Sequence, residues 1–270
     1  MSFKNKVDFH MHSDNSDDGY DPVMLMCEYA VSAGLRVAAI TDHCECNRYF
    51  ADRFDKSIRQ SFFETRKGRE AFKDRLILMA GIELGQPMQD LDAANDALNA
   101  NEYDYVLGSL HCIKGEEDFW KINYKGRDID DLFNRYLDEM YQMVRWNGFD
   151  SLSHITYPLR YIEGEHNYKV DIKKYTEKFV EIFKLLANNQ KALEINTSGC
   201  RQEYGKLIPD LDLLKLYKSF GGRYITLGSD AHHASDIGKN IENGMELAKA
   251  AGFDYLTIFE QRVPMLVPIL

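Results

Sequence analysis

The chain has 270 residues, is 44% hydrophobic and carries a formal charge of −10, enough apolar content for one large core or two small ones. The acidic surplus argues against a polynucleotide held in a basic groove, though not against a small anion, because bound cations can dominate a local site. No stretch reaches the length of a membrane span, MSFKNKVDFH lacks the apolar run of a signal peptide, and the five scattered cysteines read as reduced thiols. A cytoplasmic protein with no membrane or nucleic-acid partner is expected.

Strand-like and helix-like patterns alternate about seven times. The first strand-like run, 7–10, opens VDFHMHSDNSDDGYD, where His10 and His12 stand one residue apart ahead of a crowd of acids. Alternate residues of a strand point the same way, so the two imidazoles can converge, and imidazole is the commonest nitrogen ligand for transition metals. A helix follows over 22–35, with Val23, Met26, Cys27, Ala30 and Val31 on one face and Gly34 as its stop. The second strand, 37–40, runs into Asp42 and His43, and the third, 76–82, ends at Glu83. The fourth, 103–107, leads through GSLHC to His111. The polar segment 115–128 is expected to stay out of the core, with Phe119 and Trp120 either capping a substrate ring or packing onto the rim. A helix over 129–144 precedes the fifth strand, 151–154, which ends at His154; another helix covers 171–189. The sixth strand, 192–196, gives EINTSGCR, and the seventh, 223–228, gives GSDAHH with Asp230 and His232. The last run, DYLTIFEQRVPMLVPIL, contains Pro264 and Pro268 and is expected to form a closing edge segment.

Such alternation implies a parallel sheet covered by helices, either a barrel or a doubly wound sheet. In barrels the active site lies at the C-terminal ends of the strands, and six of the eight histidines fall there. With the acids they outnumber the ligands of one tetrahedral ion that keeps an open position. Two or three divalent ions, zinc, manganese or iron, suit the mixed nitrogen and oxygen donors better. Arg160 and Arg201 follow the fifth and sixth strands on the same rim, where a guanidinium can grip phosphate oxygens with two prongs. Cys44 and Cys46 are expected as small buried thiols, Cys112 on the face opposite His111, and His166 and His233 in solvent.

In order, DFHMHSDNSDDG, ITDH, GIE, GSLH, SHITYP and GSDAH resemble the motifs of the polymerase-and-histidinol-phosphatase (PHP) superfamily over about residues 7–235. Within it the chain looks like the monofunctional L-histidinol-phosphate phosphatases. The resemblance implies an α/β fold, a distorted (β/α)7 barrel, in one PHP domain over 1–270 with a trinuclear metal centre. It implies that His10, His12, Glu83 and Asp230 hold one metal. Glu83 then bridges to a second metal with His111 and His154, and His43, His232 and an acid of SDDG hold the third. Many relatives have a histidine where this chain has Asp18, which is preferred to Asp17 for its place before Gly19. The implied activity is hydrolysis of L-histidinol phosphate in histidine biosynthesis. Arg160 and Arg201 would bind the phosphate, and Asp230 or His232 would protonate the leaving oxygen. The alternatives are a nucleotide phosphatase or exonuclease of the same superfamily, and a non-catalytic metal-binding interaction module. Oligomeric state is left open.

Overall fold

The computed structural model describes residues 3–270. Eight strands pair in parallel: β1 (Val7–Asp8), β2 (Val37–Ile40), β3 (His43–Glu45), β4 (Ile77–Gly85), β5 (Tyr105–Ser109), β6 (Ser151–Leu152), β7 (Ala192–Asn196) and β8 (Ile225–Gly228). β2 runs beside Ile77–Ala80 and β3 beside Glu83–Gly85 of the same long β4, so the two occupy one interrupted strand position. The remaining order is β1-β2-β4-β5-β6-β7-β8. Past Asp8 the first strand turns its hydrogen bonds to the last one: Phe9 N donates to Leu227 O at 2.8 Å, and Asp230 N to His10 O at 2.7 Å. The sheet thereby rolls into a nearly closed barrel of seven strand positions. That switch of partners also explains why the regular part of β1 is shorter than the apolar run that encodes it.

The strands are buried on both faces, as near-continuous apolar runs such as VAAI require in a parallel sheet covered by helices. Those helices are α1 (Val23–Ser32), α2 (Phe54–Phe72), α3 (Leu91–Asn99), α4 (Ile129–Trp146), α5 (Thr176–Asn188), α6 (Leu211–Ser219) and α7 (Ile241–Ala250). In α4, Asp128 caps the N-terminus by accepting from Asp131 N, and Asp130 and Asp131 complement the helix dipole. Its face of Leu132, Phe133, Tyr136, Leu137, Met140, Met143 and Val144 is buried, the spacing of a single helical stripe. Among the described residues, no helix is long and apolar enough to cross a membrane.

Two expectations need correction. The last run is not an edge of the main sheet but an antiparallel hairpin of its own, β9 (Tyr255–Glu260) and β10 (Val263–Pro268). Both strands of a two-stranded ribbon are edges, so Pro264 and Pro268 cost no central ladder bond. Its turn residues Gln261 and Arg262 have φ of 50° and 66°, the left-handed pair of a tight hairpin turn. The turn is fastened beneath the barrel, with Arg262 N donating to Asp104 O at 2.9 Å and the Arg262 guanidinium paired with Asp150. Second, the polar segment 115–128 does enter the core. Phe119, Ile122 and Tyr124 are buried, with Phe119 edge-on to Tyr136 at 5.4 Å, while Trp120 stays 56% exposed. A few well-spaced apolar side chains suffice to anchor a loop whose other residues are charged.

Candidate metal centre

The loops beyond the strands converge because specific backbone positions let them. At Gly19 a Cβ would lie 1.8 Å from Ser13 O, so only glycine closes the 13–19 turn that carries Asp18 inward. At Gly228 a Cβ would meet His10 Cβ at 2.3 Å and Glu194 Oε1 at 2.8 Å, so the bare backbone leaves room for that pair. Asp42, read as a strand-end acid, is spent on the turn: it accepts from Ser13 N (2.6 Å) and from the hydroxyls of Ser13, Ser16 and Ser61.

Five of the six strand-end imidazoles are held from behind at Nδ1. His10 meets Glu194 Oε1 at 2.6 Å, His12 meets Ser16 Oγ at 3.2 Å, and His111 meets Glu45 Oε1 at 2.9 Å. His154 meets Ser153 Oγ at 3.3 Å, and His232 meets the Asp230 carbonyl at 3.1 Å. Each thus turns Nε2 toward the cluster, the orientation that outer partners impose on metal-binding histidines. The Nε2 atoms of His10 and His12 lie 3.0 Å apart, and those of His111 and His154 lie 3.3 Å apart.

Glu83 sits at the centre, fully buried. Its Oε1 is 3.1 Å from His154 Nε2 and 3.3 Å from His111 Nε2, and its Oε2 is 3.3 Å and 3.4 Å from Nε2 of His10 and His12. Asp230 Oδ1 is 3.6 Å and 3.5 Å from the same two nitrogens. Farther out, Asp18 bridges His43 Nε2 (3.5 Å) and His232 Nε2 (3.1 Å), while Asp17 contacts neither and lines the mouth. Three overlapping groups have donor atoms within 4.8 Å of one another: His10–His12–Glu83, His43–Glu83–His111 and His12–His43–His232. His12 joins the outer group by stacking on His43 and His232, at 4.1 Å and 4.3 Å.

The electrostatics are those of a site built for cations. Burial disfavours charge on His10, yet Glu194, Glu83 and Asp230 together hold its pKa well above the ordinary value. Burial acts the same way on His111, and Glu45 and Glu83 outweigh it, raising it to about 10. Burial and the charges of His43 and His232 push His12 down to about 3. Burial opposes ionisation of Glu83, but His10, His111 and His43 hold it well below the usual carboxylate range. Even so, Glu83 Oε2 and His43 Nδ1, 2.9 Å apart, are buried and neither makes a hydrogen bond. Two orphaned donor atoms amid imidazole and carboxylate fit a divalent ion of the zinc, manganese or iron kind.

Beside the cluster, Arg160 begins a π-type turn (Arg160–Glu165). It donates from Nη2 to Asp230 Oδ2 and Asn196 Oδ1, both at 2.9 Å, and keeps Nε buried without a partner. Arg201 donates to the carbonyl of Ser229 at 2.8 Å and likewise keeps Nη1 unpartnered. Asp230 adopts a left-handed backbone (φ 54°), and its Oδ2 accepts from Arg160, Ser198 (3.1 Å) and Asn196 (3.3 Å). Both arginines line a cleft of about 1030 Å³ that also exposes His43, His111, His154 and His232.

Reading strand ends missed the two acids behind the histidines. Glu45 and Glu194 lie inside β3 and β7, where an acid in a buried strand (ALEIN) was the available signal. Cys112 does not face away from the site: it lines the cleft, 3.5 Å from Asn47 Nδ2, because β5 has already ended at Ser109. Burial pushes its thiol up to about 12. Cys44 and Cys46 are buried in the core. His233 stacks on Tyr20 and His166 lies tilted against Tyr124, both at exposed positions outside the cluster.

The likeness to known proteins follows the same residues. Residues 8–198 match the PHP domain family. The chain is 30% identical to a probable histidinol-phosphatase of Thermotoga maritima, over 93% of this chain and 95% of the relative. It is 29% identical to one of Clostridium acetobutylicum, over 95% and 97%. Its fold superposes with a TM-score of 0.77 and 25% identity on histidinol phosphate phosphatase from Lactococcus lactis subsp. lactis complexed with zinc, L-histidinol and phosphate, covering 97% of this chain and 99% of that one. The barrel, the imidazoles and carboxylates at its strand ends and these relatives agree: the chain belongs to the PHP domain family.

Proposed function

We propose that this protein is a metal-dependent phosphomonoesterase that hydrolyses L-histidinol phosphate to L-histidinol and phosphate in histidine biosynthesis. One observation carries the chemistry: back-held imidazoles ring the buried Glu83 beside two arginines that each retain an unpartnered nitrogen. The substrate is inferred from the relatives named for it and from the neighbour complexed with L-histidinol and phosphate.

Bound divalent ions would polarise the phosphoryl group and lower the pKa of an attacking water. His10, His12, Glu83 and Asp230 are assigned to one ion, and Glu83, His111 and His154 to a second. His43, His232 and Asp18 are assigned to a third. Arg160 and Arg201 hold the phosphoryl oxygens and neutralise charge that grows on them during transfer. Asn196 and Ser198 fix Asp230 through Oδ2, which leaves Oδ1 toward the imidazoles. Asp230 or His232, which contact each other at the cluster, would relay a proton released by the attacking water to the leaving alkoxide.

The whole chain, 1–270, works as one domain in the cytoplasm. A polynucleotide is disfavoured by the charge of −10 and by a cleft lined with Asp17, Glu116, Glu117, Asp118 and Glu165. The test is phosphate release from L-histidinol phosphate by metal-loaded protein, beside a chelator-stripped aliquot and a nucleoside bisphosphate. Metal-dependent turnover of the first alone is expected, and turnover of the bisphosphate alone would sink the substrate assignment.

A further inference from the structure

L-Histidinol phosphate carries an ammonium two carbons from the ester oxygen, so a phosphate held at the imidazole cluster keeps that cation close to it. Most acids in the cleft are already committed. Glu45, Asp230 and Asp18 face the histidines, Glu116 pairs with Arg127 and Arg135, and Asp236 pairs with Lys239. Asp17, Glu117, Asp118 and Glu165 remain, and Asp118 alone of these is partly buried.

Its position is also built. Asp118 Oδ1 accepts from Tyr157 OH at 2.9 Å and from Trp120 N at 3.2 Å, which anchors the carboxylate through Oδ1. Tyr157 is itself wedged against the cluster, with its ring 4.9 Å from that of His154 and 5.2 Å from that of His111. The next residue, Phe119, donates its N–H to His111 O at 3.2 Å and buries its ring in the core. Asp118 therefore stands one tyrosine ring from two candidate metal ligands, on a wall anchored by Phe119. Among the described residues no lysine or arginine pairs with it, and Oδ2 has no protein donor.

We propose that Asp118 is the specificity-determining residue that receives the substrate ammonium through Oδ2, with Tyr157 as the strut that aims it. An oriented half-buried carboxylate without a cation is poorly compensated until one arrives. The site then selects aminoalkyl phosphates over plain phosphomonoesters. The inference rests on the substrate reading above and adds a residue to it.

The experiment compares parent enzyme and Asp118→Asn, both metal-loaded, on L-histidinol phosphate, its desamino analogue and nitrophenyl phosphate. For L-histidinol phosphate the variant is expected to raise KM about 10- to 100-fold with kcat little changed, the loss of one charge-assisted hydrogen bond. On the other two substrates parent and variant should agree within about twofold, since neither has an amine to lose. Equal metal content and thermal midpoint in the two proteins exclude a folding defect. A loss of the same size on all three substrates, or on none, overturns the assignment. A parent that cleaves nitrophenyl phosphate but not L-histidinol phosphate sinks the substrate reading and the amine site with it. A parent active on L-histidinol phosphate with an unaffected variant sinks the amine site alone.

Discussion

The two ends of the barrel both bury acids, and they treat them in opposite ways. At the N-terminal ends of β5 and β6, Asp104 and Asp150 are each only 4% exposed. Both are satisfied by the chain itself. Asp104 pairs with Arg69 and accepts from Ala80 N and Gln261 N, and Asp150 pairs with Arg262 and accepts from Val106 N. At the C-terminal ends, Glu83 and Asp230 are just as deep but face imidazoles that jostle for the same space, and Glu83 Oε2 is left without a hydrogen bond. A satisfied buried charge is structural; a buried charge whose partners point at a shared void is waiting for a cation.

Breaking the upper end should cost activity, and breaking the lower end should cost stability. The largest effect is expected for Glu83→Gln, which removes the carboxylate shared by five imidazoles. Elemental analysis should show lost metal, and kcat on L-histidinol phosphate should fall at least about 1000-fold. A variant with full metal and activity would refute the shared-ligand role. At the other end, Arg262→Ala strands Asp150 and is expected to lower unfolding free energy by about 2–3 kcal/mol. That is below the cost for a fully buried pair because the guanidinium is 35% exposed. Denaturant titration measures it, and kcat of the folded enzyme should not move.

Glu194→Gln sharpens the contrast, because Glu194 is satisfied yet belongs to the upper end. Its Oε1 holds His10 Nδ1, and its Oε2 accepts His154 N at 2.8 Å and Asn196 Nδ2 at 3.2 Å. One carboxylate thus orients candidate ligands of two ions, and its loss should weaken metal affinity about 10- to 100-fold. Titration with a competing chelator would show this, with little change in the thermal midpoint of the stripped protein.

The smallest effect is a proton count. Against burial, Glu45 and Glu83 raise the His111 pKa to about 10, so the stripped protein is expected to hold this imidazole protonated at pH 7 and to give up that proton on ligation. Metal loading at pH 7 should release protons into a weakly buffered indicator solution, and apparent affinity should rise with pH toward 10. The same raised pKa stabilises the stripped fold: its contribution is complete below the ordinary value of 6.5 and is lost as pH climbs through about 10. Loading without proton release would mean that the imidazoles are neutral beforehand.

Much of this was legible in one dimension. Alternating β and α patterns announce a parallel sheet, and ligand-type residues recurring just past each apolar run announce where the chemistry sits. The hairpin was harder to read, because Pro264 and Pro268 signal an edge without saying whether it belongs to the main sheet. Phe119 is buried in a segment whose average polarity hides one anchored ring.

What the sequence determined by itself was the set of donors and their place at the strand ends, since strand periodicity and local turn chemistry act over a few residues. His12, His154 and His232 take their Nδ1 partners within four residues, but for His10 and His111 only the tertiary structure decided which nitrogen faces inward. That choice depends on partners far along the chain: Glu194 lies 184 residues from His10, and Glu45 lies 66 from His111. Such contacts form when the barrel closes, and no local pattern encodes them.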